Sequence, residues 1–387
     1  MADARNSALL GCGFTDSETA GPVQFRDARL CAVAEKVQSG QRLDAADGLL
    51  LYQTDDLTGV GAIANSVRQR LHGPRTWYVR NQHINYTNVC NKQCRFCSFA
   101  ANPGRGGPKP YSMSPEDVRA ALLRYSDATI TEVHIVGGID PRLPYSYYLD
   151  VLAAVRAARP DVQIKAFTTV ELDQIASVAG KPLPEVLSEL KDAGLAAVPG
   201  GGAEVLSDRV HQLLHPCKLT PAEWLDVSRC VAAAGLTQYA TMLYGHIETA
   251  EERVEHLLRI RELQDETGHL AAFTPLSFHP EGTALSELPG PTALDDLRAI
   301  AVARLMLDNV EHIKTFWIMN TPGVSQVALW YGADDMDGTV EEYRITFAEG
   351  RPGEVRQALS AEAMEALILE AGLVPVERDG AYREVAR

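Results

Sequence analysis

Three cysteines fall within eight residues of this 387-residue chain, in the run Asn85-Tyr86-Thr87-Asn88-Val89-Cys90-Asn91-Lys92-Gln93-Cys94-Arg95-Phe96-Cys97. The C-x3-C-x2-C spacing lets three thiolates converge on one centre from a single loop. Soft thiolates select zinc or iron–sulfur clusters over hard cations. Three local ligands satisfy three irons of a cubane and leave the fourth open, whereas structural zinc and structural clusters usually take four protein ligands. The spacing therefore points either to an open catalytic iron or to a fourth ligand from elsewhere. Cys217, in the loop His215-Pro216-Cys217-Lys218, and Cys230 are the candidates for that distant ligand. Cys230 falls beside apolar helix positions, where a cysteine reads as a small buried hydrophobe.

Other segments carry groups that a bound ligand can use. Val136-Gly137-Gly138-Ile139-Asp140 offers two glycines for close backbone approach, or a plain turn. Val198-Pro199-Gly200-Gly201-Gly202-Ala203-Glu204 can present backbone N–H groups to an anion. Arg209 follows it, either to pair with a carboxylate or as a surface arginine on a helix. Thr168-Thr169-Val170-Glu171 places a carboxylate after a strand, and Arg142 and Lys314 are further cationic groups. His246, in Tyr244-Gly245-His246-Ile247-Glu248-Thr249, and His279, in Ser277-Phe278-His279-Pro280-Glu281-Gly282-Thr283, can act as acid, base or carboxylate donor. A hydrogen-bonded loop histidine is the plainer reading of His246.

These groups need elements to position them. Eight short β-rich runs alternate with helical patterns, at 83–86, 132–136, 163–167, 196–198, 238–244, 271–276, 312–318 and 326–331. Several are continuous apolar runs, as expected for parallel strands covered on both faces. Between them, Thr220-Pro221-Ala222-Glu223 is a capping box with proline at the first helical position, and Gly235 ends the helix it opens. Thr249 and Thr292 open two more, and Leu183, Val186, Leu187 and Leu190 share one helical face. Eight strands alternating with helices over roughly 250 residues predict an α/β fold of the (β/α)8 barrel type. The first strand then delivers the cysteine loop to the C-terminal mouth. A doubly wound sheet is the alternative, but its glycine-rich phosphate loop is replaced here by cysteines. Residues 1–75 read as a helical N-terminal segment, 76–344 as the barrel and 345–387 as a C-terminal appendage with a helix near 360–371.

Composition removes several classes. With 36 Lys+Arg against 51 Asp+Glu, the formal net charge of −15 argues against a nucleic-acid or lipid surface, both of which need a basic face. Hydrophobic residues at 46% and charged residues at 22% exclude a disordered or fibrous chain. No run of 18 apolar residues occurs, so no membrane span is expected. The start, Met1-Ala-Asp-Ala-Arg-Asn6, lacks the basic and apolar regions of a secretory signal. Seven cysteines in so long a chain, with Cys12 and Cys31 scattered, do not form a disulfide scaffold. A cytoplasmic protein is expected.

The C-x3-C-x-Phe96-C loop, placed after the first strand of an eight-strand pattern, resembles that of the radical S-adenosylmethionine (SAM) enzymes. The resemblance implies a [4Fe-4S] cluster on Cys90, Cys94 and Cys97 whose open iron chelates S-adenosyl-L-methionine, with Phe96 beside it. It implies a methionine-amine contact at Gly137 and Gly138; by position after the third strand Glu171 is a candidate for the ribose hydroxyls, and Glu204 and Arg209 are further candidate cofactor contacts. Tyr239–Thr249 is similar to the family's adenine-contacting G-x-I-x-G-x-x-E stretch. Gly245 and Glu248 are retained there, while Thr241 and Leu243 replace the first glycine and the isoleucine.

Taken with His83-Ile84-Asn85-Tyr86 and the His246 and His279 loops, these segments resemble the aminofutalosine synthases of the futalosine route to menaquinone. The implied substrate is the aryl enol-ether dicarboxylate 3-[(1-carboxyvinyl)oxy]benzoate, with a low-potential donor such as flavodoxin or ferredoxin. His246 and His279 become the implied catalytic residues. The alternatives are cyclic dehypoxanthine futalosine synthase, one half of a deazaflavin-cofactor synthase, and a non-catalytic iron–sulfur carrier.

Overall fold

In the computed structural model, residues 10–11, 23–101, 108–125, 129–340, 343–345 and 358–386 are described. The first nine residues and Cys12 lie outside them. A short antiparallel pair, β1 (Leu10–Gly11) and β2 (Gln24–Phe25), precedes three helices, α1 (Leu30–Gln38), α2 (Ala45–Gln53) and α3 (Leu57–His72). β3 (Arg75–Val79) then runs through Arg80 into β4 (Asn81–Ile84). The α/β alternation that follows is α4 (Pro115–Leu123), β5 (Glu132–Ile135), α5 (Tyr145–Ala158), β6 (Gln163–Ala166), α6 (Thr169–Ala179), α7 (Leu183–Asp192) and β7 (Leu195–Val198). It continues through α8 (Asp208–Leu214), α9 (Pro221–Ala233), β8 (Thr237–Tyr244), α10 (Ala250–Thr267), β9 (Leu270–Ser277), α11 (Ala293–Met306) and β10 (His312–Ile313). Two short helices, α12 (Trp317–Asn320) and α13 (Pro322–Ala328), precede β11 (Asp335–Gly338), and α14 (Ala361–Glu370) and β12 (Val374–Arg378) end the chain.

Strands β4 to β10 form one seven-stranded parallel sheet in sequence order, curled into a half-barrel. Leu187 and Val198 from the α7–β7 unit, Val133 and Ile135 from β5 and Val151 from α5 share one buried core between sheet and helices. Caps fix the helix starts where the sequence places them. Thr220, Thr249 and Thr292 each accept from the backbone three residues on, in reciprocal boxes with Glu223, Glu252 and Asp295. The N-terminal helices pack on the barrel's outer helices, α2 on α10 and α11, and α3 on α11.

The barrel-type α/β fold is the expected one, but its last strands differ. The seventh run is a strand only over β10, and Trp317–Asn320 turn helical. The run 326–331 is no strand; it begins inside α13, where Thr321 caps Val324 N–H and Pro322 takes the first helical position. Val324, Val327 and Ala328 fit helical spacing as well as a buried strand, an ambiguity that short apolar runs cannot resolve. The strand beside β10 is instead β11, whose Asp-Met-Asp-Gly sequence carries no apolar run. Asp335 bridges Lys314 after β10, while Thr339 hydrogen-bonds Val79 and Asn81. β11 also belongs to a second sheet, β11-β3-β12, in which the C-terminal strand pairs in parallel with β3.

Candidate active site

The cysteine loop leaves the end of β4 and is pinned on several sides. Asn88 donates to Lys109 O (3.0 Å) and accepts from Tyr111 N–H (2.8 Å). Asn91 N–H reaches Ile139 O, Gly138 N–H reaches Thr87 O, and Arg95 N–H reaches Leu214 O. A Cβ on Gly138 would stand 2.3 Å from Val89 O, so only glycine allows β5's exit to approach this loop so closely. Cys90, Cys94 and Cys97 are free thiols that line one cavity of about 340 Å³ at the C-terminal ends of the strands. Burial pushes the Cys94 thiol up to about 12 and also raises Cys97. A metal centre here must therefore displace protons, which the binding of soft metals by thiolates does.

The donor set fits a cluster with one open iron. Cys217 is exposed, and Cys230 packs against the apolar core between helices and sheet. Beside the thiols lies Lys218, whose Nζ is 2.5 Å from Glu204 Oε1 and 5.5 Å from the Phe96 ring centroid. Lys218, Glu204 and Phe96 all line the cavity. His215 is 2% exposed and meets the Phe96 ring edge-on at 5.8 Å; neither of its ring nitrogens has a partner among the described residues. Burial holds the His215 imidazole down to about 2, so it stays neutral beside the lysine.

The cavity gathers several of the residues singled out by sequence. Gly137 and Gly138, Phe96, Glu204, His279 and Lys314 line it, as do Thr168, Gly200–Gly202 and Thr241. His279 Nε2 lies 3.0 Å from Met319 O. Phe316 faces the cavity, whereas Trp317 is buried and donates to Gly338 O.

Others do not line it. Glu171 is buried and does not line the cavity; it accepts from Tyr86 Oη, Gly137 N–H and Thr168 N–H. It thus ties β5's glycine turn to the N-terminus of α6. Arg209 is half-exposed and pairs with Glu252 (2.6 Å), and Arg142 is turned out onto Asp140. His246 is buried away from the cavity, with Nδ1 2.8 Å from Glu248 and its ring edge-on to Phe278. Glu248 accepts from Gly245 N–H and pairs with Arg253. Burial raises its carboxyl, but His246, Arg253 and the backbone donor outweigh this and lower it to about 2. Gly245, at φ 93°, sits against Pro291 as part of the same braced turn. Sequence reading missed Lys218, Lys165, His134, His83, Asp337 and Tyr343, all of which line the cavity. A polar residue alternating with apolar ones inside a strand, as in Gln163-Ile164-Lys165-Ala166, was the available signal.

Comparison with known proteins follows the same lines. Residues 84–260 match the Radical SAM superfamily, and residues 266–386 match the CofH/MqnC C-terminal region. The chain is 44% identical to an aminodeoxyfutalosine synthase of Thermus thermophilus, over 93% of this chain and 97% of the relative. It is 40% identical to that of Streptomyces coelicolor, over 90% and 92%. A cyclic dehypoxanthine futalosine synthase of Halalkalibacterium halodurans is 33% identical over 90% of this chain and 93% of the relative. Among solved structures, methylornithine synthase superposes with a TM-score of 0.71 at 17% identity, covering 89% of this chain and 97% of that one. That likeness concerns the fold alone.

Proposed function

The chain belongs to the radical SAM superfamily, in the group that holds the aminodeoxyfutalosine synthases, and from that premise we propose that it makes 6-amino-6-deoxyfutalosine. The substrates are S-adenosylmethionine and 3-[(1-carboxyvinyl)oxy]benzoate, with methionine and bicarbonate released. The observation that carries this reading is the near full-length similarity to two such enzymes, joined to three thiols that converge on one barrel-mouth cavity. A [4Fe-4S] cluster held by these thiols would supply, when reduced, the cleavage of the sulfonium to a 5′-deoxyadenosyl radical for addition to the enol-ether double bond.

The protein's own part is to bind, orient and shield. Cys90, Cys94 and Cys97 would hold three irons, and the Gly137–Gly138 turn, which lines the same cavity and packs against the cysteine loop, would offer its backbone to the methionine moiety. The Gly200–Gly202 turn and Thr241 line the neighbouring wall, which would receive the nucleoside. Lys218 keeps a positive charge beside the thiolates, which offsets their mutual repulsion. Phe278, Leu276, Phe316 and Met319 give the remaining wall an apolar surface that excludes water from a reactive intermediate. His279, which lines the cavity with its Nε2 3.0 Å from Met319 O, would face the substrate. A low-potential flavodoxin or ferredoxin supplies the electron. No described helix is long and apolar enough to cross a membrane, and a reducing cytoplasm suits the cluster.

Anaerobic turnover of the cluster-reconstituted enzyme tests this. Methionine should form only when the enolpyruvyl benzoate is present, with little 5′-deoxyadenosine. Accumulation of 5′-deoxyadenosine as the main nucleoside would instead favour hydrogen abstraction, as in the cyclase reading. Intact SAM in a protein that holds iron and sulfide would favour a carrier.

A further inference from the structure

The closed end of the cavity is built from polar residues at one height. His83 on β4, His134 on β5 and Lys165 on β6 are direct register partners, so their side chains lie on the same face of the sheet. All three line the cavity, and Lys314 and Asp337 complete the layer from the far side. Both lysines lie over the Tyr239 ring, Lys165 at 4.6 Å and Lys314 at 5.5 Å from its centroid. This floor lies four residues below Gly138 along β5, about 13 Å of extended chain from the turn beside the cysteine loop.

The floor's polar groups are not all paired with one another: His83 Nδ1 and one oxygen of Glu132 have no hydrogen-bond partner among the described residues. Lys165 pairs with Glu132 at 2.6 Å and Lys314 with Asp337 at 2.5 Å. An ammonium has three N–H donors, and one contact to a carboxylate leaves others to direct inward. The His83 and His134 rings stand 4.5 Å apart. His83 is 2% exposed, and its Nδ1 has no partner among the described residues. Two buried ion pairs gain little stability over an apolar floor of the same volume. Above them, Phe316 and Tyr343 meet edge-to-face at 5.5 Å as apolar wall. An apolar slot ending on ammonium and imidazole groups is the shape that receives a flat ring bearing an anion.

We propose that Lys165, Lys314, His83 and His134 form a subsite for the carboxylate on the substrate's aromatic ring, holding the molecule with its enol ether toward the cysteine loop. This rests on the function proposed above and specifies how that substrate is oriented. The four residues are positioning groups, remote from the bond that forms.

The test compares two substrates on the reconstituted enzyme: 3-[(1-carboxyvinyl)oxy]benzoate and 2-phenoxyacrylate, which lacks the ring carboxylate. Wild type should prefer the first by on the order of 100-fold in kcat/KM. In Lys165→Gln the preference should collapse toward one. It should collapse equally in the pair Lys165→Met with Glu132→Gln, which leaves no orphaned carboxylate. A preference kept at its wild-type value in folded, cluster-bearing variants would overturn the subsite. Saturable binding of benzoate, measured calorimetrically with SAM present, separates this from the reaction assigned above. If neither compound is turned over, that assignment fails, while benzoate binding abolished by both variants still supports the subsite. No benzoate binding to wild type overturns it.

Discussion

Removing Cys90, Cys94 or Cys97 leaves an iron without its thiolate, and no other described cysteine is placed to replace it. Each Cys→Ala variant should lose nearly all bound iron and sulfide, measured chemically and by the cluster's visible absorption, whereas Cys217→Ala should keep both. Cluster loss in Cys217→Ala would restore the four-ligand carrier reading. At His279, replacement by Ala should leave the cluster intact and cut turnover by about 100-fold, the usual scale for a positioned histidine; near wild-type rates would remove it from the reaction. The thiols were legible because one loop carries all three. Glu171 was not, since a carboxylate after a strand reads equally as a ligand contact or as a cap. Its pattern Thr168-x-x-Glu171 was the clue, and both carboxylate oxygens are committed to backbone and Tyr86 donors. Glu248 likewise braces the turn that carries it, accepting from Gly245 N–H and pairing with Arg253, while His246 meets it through Nδ1 and keeps a buried Nε2 with no partner among the described residues.

Between residue and barrel, turns set how near two elements come. Gly138→Ala should push Val89 and the cysteine loop aside, so iron content and SAM binding should both fall; unchanged values would show that the loop yields freely. The β8–α10 turn has a pH signature. Glu248 is lowered to about 2 in the fold from an ordinary value of 4.5, so its contribution is full above about pH 4.5 and lost as pH falls toward 2. That shift corresponds to about 3 kcal/mol. Denaturant unfolding of the apo-protein should therefore lose stability steeply between pH 5 and 2 in wild type, and less steeply in Glu248→Gln. Helix starts were readable in advance at Thr220, Thr249 and Thr292, because capping boxes are local. β11 was not readable: Asp335 and Asp337 are held by Arg378 and Lys314, partners brought from elsewhere in the chain.

At the scale of the molecule, the C-terminal segment is part of the barrel's lower end. Arg378 pairs with Asp335 at 2.6 Å with both side chains fully buried, Tyr239 donates to Gly380 O, and the Tyr382 ring stacks on His312 at 3.8 Å. Arg378→Met leaves Asp335 buried without its guanidinium and should cost about 3–5 kcal/mol in denaturant unfolding. A cost under about 1 kcal/mol would mark this end as dispensable. An acidic chain of net charge −15 repels a dianion at long range, and the cavity gathers four lysines, Lys92, Lys165, Lys218 and Lys314, of which the last three are paired with Glu132, Glu204 and Asp337 and offer their remaining N–H donors. Composition gave the overall charge; only the fold shows where the lysines collect. In the proposed reaction the adenosyl radical adds to carbon and stays there. Turnover with SAM carrying carbon-13 at the 5′ position of its ribose tests this most directly. The expected result is a nucleoside product in which the labelled carbon is bonded to a substrate carbon, seen as a new coupling when that carbon is labelled too. Recovery of the label wholly as a methyl group in 5′-deoxyadenosine would contradict it.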